Sequence, residues 1–306
     1  MTRISFVFLI RIFWDFRGKL FFPPPLNIVM NKILIGTSGY DYPEWKGVFY
    51  PEKIARKDFL LFYSTKFNAL ELNSTFYSMP TFERMESFLK RSEGRVNFSV
   101  KAHRLLTHDI SSLWKTEAEV FKNALKLMNQ KNLLSSILFQ FPQSFHYNID
   151  NRFYLSYLLD EFEGFPVAVE FRNKQWILDS VFEGLAKKNA AFVYCDMPDL
   201  KHLPAFDFES KEFLEQNCTK IFGNMAYLRL HGRNADSWYA STDNEKNDKN
   251  GSARYEYFYS DEELFSFVPI VKFIKNAGKR CQIFFNNHPK GYGAQNALKL
   301  KEMLQS

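Results

Sequence analysis

Eight short runs rich in β-formers recur along the chain, separated by segments whose apolar residues fall at helical spacing. The runs are ILIG (33–36), ALEL (69–72), VNFSVK (96–101), SILFQF (136–141), VAVEFR (167–172), AFVYCD (191–196), AYLRLH (226–231) and CQIFFN (281–286). Between them lie patterns such as FERMESFLKR, VFKNALKLMNQ and DSVFEGLAKKN. TFER (81–84) and SDEE (260–263) have the hydroxyl-then-acid order of a helix start. Strand and helix alternating eight times predict a single (β/α)8 TIM-type barrel. A doubly wound open sheet is the alternative, because periodicity counts strands without showing closure.

Side chains on a strand alternate between faces, so same-parity residues share one. In AYLRLH, Leu228 and Leu230 share one face and Tyr227, Arg229 and His231 the other. The polar face is expected to look into the barrel. Equivalent assignments elsewhere are Glu71 with Asn73, Ser99 with Lys101 and His103, Gln140, Glu170 with Arg172, and Tyr194 with Asp196. Leu70, Phe98, Phe139, Val169, Val193 and Cys195 then face the helices. Polar residues also gather at the C-terminal ends of the strands, where barrel enzymes build their sites. A structural charge network could fill that mouth, but branched apolar residues fill a barrel more cheaply. Convergent ionisable groups therefore favour a ligand or catalytic site.

Composition narrows the class further. The chain has 306 residues and is 46% hydrophobic, enough for a large core and unlike a disordered chain. Cys195, Cys218 and Cys281 lie far apart in no metal spacing, which suggests a reducing, cytoplasmic setting and no disulfide framework. The formal charge is +6. Residues 1–29 hold four basic side chains and one acidic, so the remainder keeps 36 basic and 33 acidic, a net +3. Without a basic cluster, nucleic acid is weakly supported as a partner.

Residues 1–29 read as an N-terminal appendage, an upstream start or a disordered segment, with 30–306 as the barrel domain. Arg11 interrupts the appendage's apolar stretch, which is too short to span a bilayer, so no membrane partner is expected. A helix lying on a membrane surface is the alternative there.

GTSGYDYPEWKGVFYP (36–51), ELNSTFY (71–77), FSVKAHRLLTH (98–108), LFQFP (138–142), VEFRNKQW (169–176), YLRLHGR (227–233), YEYFYSDEEL (255–264) and FFNNHPKGYGAQNAL (284–298) together resemble the YecE-like family, also called domain of unknown function 72. The resemblance covers nearly all of residues 32–304. It implies a TIM-type barrel and no settled activity. KAHR departs from the family's more usual Lys-Ala-Pro-Arg, so His103 is not expected to be a shared catalytic group.

Glu71 and Glu170 are the candidate acid/base pair, with His231 as a proton carrier. Lys101, Arg172 and Arg229, with Arg233 beyond its strand, suit an anionic phosphate- or carboxylate-bearing substrate, small or polymeric. Thr37, Ser38 and Tyr40 of GTSGY, with Asn73, Gln140, Asp196, Asn286, Asn287 and His288, complete the expected binding set. Aromatic residues Tyr40, Trp45, Phe76, Tyr77 and Trp238 could stack on bases in a non-catalytic alternative that binds nucleic acid or a phosphorylated metabolite. No nucleotide or redox cofactor is expected, since neither GxGxxG nor a P-loop is present. His231 and His288 with Asp196 or Glu170 leave a divalent metal open. Gly291 and Gly293 lead into a last helix whose N-terminus, with Lys290, would hold phosphate. The long segment 231–260 is expected to act as a lid or binding loop.

Overall fold

The computed structural model describes residues 13–14, 20–21, 33–208, 225–238 and 253–305. The chain divides into two compact units, Met1–Asn31 and Lys32–Ser306. In the first, Phe13–Trp14 pairs antiparallel with Leu20–Phe21, so those positions are extended and not part of a surface helix. No helix among the described residues is long and apolar enough to cross a membrane. The expected lid is described to Trp238 and from Ala253; its EKNDKNGS centre (245–252) lies outside the described residues, as does Cys218.

In the second unit eight parallel strands form a nearly closed barrel. They are β1 (Ile33–Thr37), β2 (Ala69–Leu72), β3 (Asn97–Lys101), β4 (Leu134–Phe141), β5 (Val167–Phe171), β6 (Ala190–Asp196), β7 (Met225–Leu230) and β8 (Arg280–Phe285). Their order, β1-β8-β7-β6-β5-β4-β3-β2, sets each strand beside its sequence neighbours, as right-handed βα crossovers do. Helices alternate with them: α1 (Phe59–Lys66), α2 (Ser74–Tyr77), α3 (Phe82–Arg91), α4 (Trp114–Gln130), α5 (Ile149–Glu161), α6 (Asp179–Lys187), α7 (Asp261–Asn276) and α8 (Tyr292–Met303). Thr81 caps α3 by accepting from the Arg84 N–H, and Ser260 with Glu263 forms a capping box on α7.

The outward strand faces, including Leu70, Phe98, Phe139, Val169 and Leu228, pack beneath the helices. A smaller inner cluster of Leu34, Ala69, Leu138, Ala168, Val193, Tyr227 and Phe284 fills the barrel.

The seam between β1 and β2 is closed largely by side chains. The Asn68 amide accepts from the Ile35 N–H at 2.9 Å and donates to the Ile33 carbonyl at 3.0 Å. The Tyr63 hydroxyl accepts from the Thr37 N–H and donates to the Ala69 carbonyl, both at 2.8 Å. A Cβ on Gly36 would lie 1.9 Å from the Ala69 carbonyl oxygen, so the approach of the strands requires glycine there. Tyr63→Phe would leave a buried N–H and a buried C=O without partners. Denaturant unfolding should show a loss of about 2 kcal/mol; an unchanged midpoint would mean the relay contributes nothing.

Candidate functional site

The register decides what meets inside. Parallel partners sit side by side on one face, so Ser99 lies beside Glu71, Glu170 beside Gln140, and Cys195 beside Arg229. Arg229, 2% exposed, sends Nε and Nη2 to the two oxygens of Glu71 at 2.9 and 2.6 Å, and Nη1 to Glu170 at 2.5 Å. Glu71 also accepts from Ser38 Oγ at 2.6 Å and Tyr227 Oη at 2.7 Å. Tyr227 spends its one proton on Glu71, so Ser99 donates to Tyr227, and Ser136 in turn bonds Ser99. The second oxygen of Glu170 pairs with Arg172 Nε. Burial alone would raise the Glu170 pKa, but Arg172 and Arg229 more than offset it and hold the carboxyl well below its usual range.

Glu71 and Glu170 are thus not an acid/base pair facing a cavity. Each is wholly buried, and the hydrogen bonds to Glu71 saturate its lone pairs. They form an alternating ionic floor, Glu71–Arg229–Glu170–Arg172, with balanced charge.

Above the floor, next to its end member Arg172, stand Lys101, Gln140, His231 and Asn286. His231 is fully buried, and burial, then Arg172 and Arg229, keep its ring well below the usual range and therefore neutral. Arg172 Nη2 lies 3.0 Å from His231 Nε2 and can only donate, so Nε2 accepts and Nδ1 carries the proton. The Asn286 side-chain amide lies 3.0 Å from Nδ1 through its nitrogen, and accepting that proton requires the amide turned over so that its oxygen faces the ring. This neutral, fully engaged ring is an orienting group, not the proton carrier expected. Arg172 keeps Nη1 without a hydrogen-bond partner among the described residues, and its guanidinium lies over the Trp238 ring.

Lys101 is the surplus cation. Its Nζ donates to Gln140 Oε1 at 2.8 Å and sits 4.2 Å from the Phe76 ring centroid. Burial first, then Arg229, push its pKa down from 10.5 to about 7. The floor has already consumed both nearby carboxylates, so neither pairs with this amine. Asn73, beyond the end of β2, has a buried Oδ1 without a partner.

Glu170, Cys195 and His231 offer donor atoms within 4.8 Å of one another, a geometric set for a metal ion. Arg172 already occupies both the Glu170 carboxylate and His231 Nε2, and Arg229 stands beside them. A cation would have to displace one guanidinium and tolerate the other.

The family described as "Protein of unknown function DUF72" matches residues 34–306. The chain belongs to the DUF72 family. It is 28% identical over 284 residues to the UPF0759 protein YunF of Bacillus subtilis (strain 168), covering 89% of this chain and 94% of YunF. A solved DUF72 family protein, TM1631 of Thermotoga maritima MSB8, is 31% identical with a TM-score of 0.75 over 90% of this chain and 99% of its own. A second, EF0366 of Enterococcus faecalis V583, shares the fold at 20% identity and a TM-score of 0.75, covering 90% of this chain and 96% of its own.

Several expected site residues of this DUF72 barrel lie outside the mouth. On β6 the inward face is Val193 and Cys195, not Tyr194 and Asp196, because Asp196 pairs in register with outward Leu230. Tyr194 packs on Phe206, and Asp196 accepts from Tyr259 Oη at 2.7 Å and from Arg233 at 3.0 Å. Arg233 is therefore held on the outer side as well. Thr37 serves the β1/β2 seam, and Tyr40 packs between Tyr63 and Phe88. Trp45 is fully buried with Nε1 donating to the His288 carbonyl, so it is no stacking platform. Asn287 bonds Tyr257 and Asn296 beneath α8.

The expected phosphate site at the start of α8 is partly closed, since the Gly293 N–H donates to the Asn287 carbonyl and Lys290 pairs with Glu256. His288 remains near the rim, its ring 4.8 Å from that of Tyr42. Sequence reasoning missed Cys195 as a barrel-facing side chain. The small residues Ala191, Val193 and Cys195 at alternate positions were the signal for it.

Proposed function

We propose that this DUF72 barrel is an enzyme acting on an anionic substrate in its C-terminal mouth, with Lys101 as the group that takes up and returns the proton. What carries this proposal is the Lys101 amine, half-buried beside Gln140 with no carboxylate partner and a pKa of about 7. Arg172, with Nη1 unspent, supplies the planar anion contact. Glu71, Glu170 and His231 position the arginines and set the local charge. No step requires a metal, and a reducing, cytoplasmic setting suits the buried cysteines Cys195 and Cys281, for which no disulfide is described.

The test is a screen of phosphoesters, glycosides and sugar isomers on wild type and Arg172→Ala. A substrate so found should show kcat/KM rising with pH through about 7, as Lys101 becomes the free base. Arg172→Ala should raise its KM at least tenfold. A profile rising instead near the ordinary carboxylate range, about 4, would return the role to a carboxylate. Phosphate binding that depends on Arg172, with no turnover anywhere in the screen, would make the chain a binding protein.

A further inference from the structure

We propose that Lys101 is a covalent site, whose ε-amine condenses with the carbonyl carbon of an anionic aldehyde or ketone to form an imine. This inference rests on the anionic-substrate mouth just described and names its substrate class.

The geometry separates this lysine from others in the fold. Lys90, Lys188, Lys290 and Lys299 each hold a carboxylate at the surface, which keeps an amine protonated and unreactive. Lys101 instead ends β3 inside the mouth, against a neutral amide oxygen and an aromatic face. Among the described residues no Asp or Glu lies within ion-pairing distance of it, because Arg229 and Arg172 already hold Glu71 and Glu170.

An amine becomes a nucleophile when neighbouring cations and desolvation favour its neutral form, and both conditions are met here. The freed lone pair that serves proton transfer equally serves attack on a carbonyl carbon, and the cations that free it also attract the anionic end of the carbonyl compound.

The step balances without a cofactor. The Nζ lone pair adds to the carbonyl carbon, forming the C–N bond as the C=O π pair moves to oxygen. The Nζ proton passes to that oxygen, giving a neutral carbinolamine. A proton from solvent then lets the oxygen depart as water, leaving the protonated imine. In sum, one amine, one carbonyl and one proton give one iminium and one water. The iminium withdraws electrons from the adjacent carbon, the chemistry that lyase or isomerase steps at such a carbon require.

The test uses the full chain near neutral pH, incubated separately with pyruvate and with glyceraldehyde 3-phosphate, then treated with borohydride as the hydride donor. Intact mass and peptide mapping read the product. The expected result is one reduced adduct per chain, mapped to Lys101 and lost in Lys101→Arg. Gln140→Glu should slow trapping about tenfold or more at neutral pH, because a carboxylate at that position retains the amine's proton. No adduct, or labelling spread over surface lysines and unchanged in Lys101→Arg, would overturn the imine. So would a Gln140→Glu protein that traps as fast as wild type.

Thermal unfolding with inorganic phosphate separates the two proposals. Stabilisation by phosphate that requires Arg172, without an adduct, overturns the imine and leaves the anion site standing. Neither stabilisation nor adduct overturns both.

Discussion

Replacing Arg229 with alanine will destabilise the barrel by about 3–5 kcal/mol, the usual loss when one member of a buried ion pair is removed. The guanidinium is 2% exposed and holds two wholly buried carboxylates from strands on different sides of the barrel. Without it, Glu71 keeps only its Ser38 and Tyr227 hydroxyls, and Glu170 keeps Arg172. Either a bare charge stays buried or a carboxyl takes up a proton, and both cost stability. Arg229→Lys should recover less than half of the loss, because a single ammonium cannot reproduce a bidentate fork to Glu71 together with a third bond to Glu170. Denaturant midpoints with unchanged slopes would measure this. A loss under about 1 kcal/mol would mean that water replaces the guanidinium and the floor is not the closed network described.

Lys101→Met should do the reverse, lowering turnover about 10²–10⁴-fold while leaving the fold as stable as wild type or more so. The sign follows from linkage. The folded pKa of about 7 lies below the ordinary 10.5, so between those values the unfolded chain binds a proton that the folded chain does not. Wild-type stability therefore rises with pH across that window, and below it the buried charge is a constant cost. The methionine variant lacks this slope, so its advantage should be largest below pH 7 and shrink toward 10.5. Unfolding measured on both sides of the window checks it. A methionine variant less stable than wild type at neutral pH would show that Lys101 supports the fold, and would remove the reason for treating it as a functional group.

Much of the mouth was legible from parity. Alternation puts Glu71, Ser99, Lys101, Gln140, Glu170 and Arg229 inward, and the register agrees. On β6 polarity points the wrong way, since the inward face is Val193 and Cys195. Tyr194 and Asp196 face outward, where Phe206 covers the ring and Tyr259 and Arg233 satisfy the carboxylate. A buried polar side chain needs partners, and those can stand on either side of a sheet. The chemistry of Thr37, Tyr40 and Trp45 suits recognition, but their neighbours make them seam and packing residues.

Strand number and the polar ends of the strands followed from the chain alone, because alternation and helical spacing are local properties of neighbouring residues; strand order came with the barrel. What those polar ends do was decided only by closure. Glu71 and Arg229 stand 158 residues apart in the chain and share two hydrogen bonds. Charge pairing depends on distance around the barrel, which sequence separation does not encode. Once Arg229 and Arg172 take both carboxylates, Lys101 is left with an amide, a ring and a proton it holds weakly.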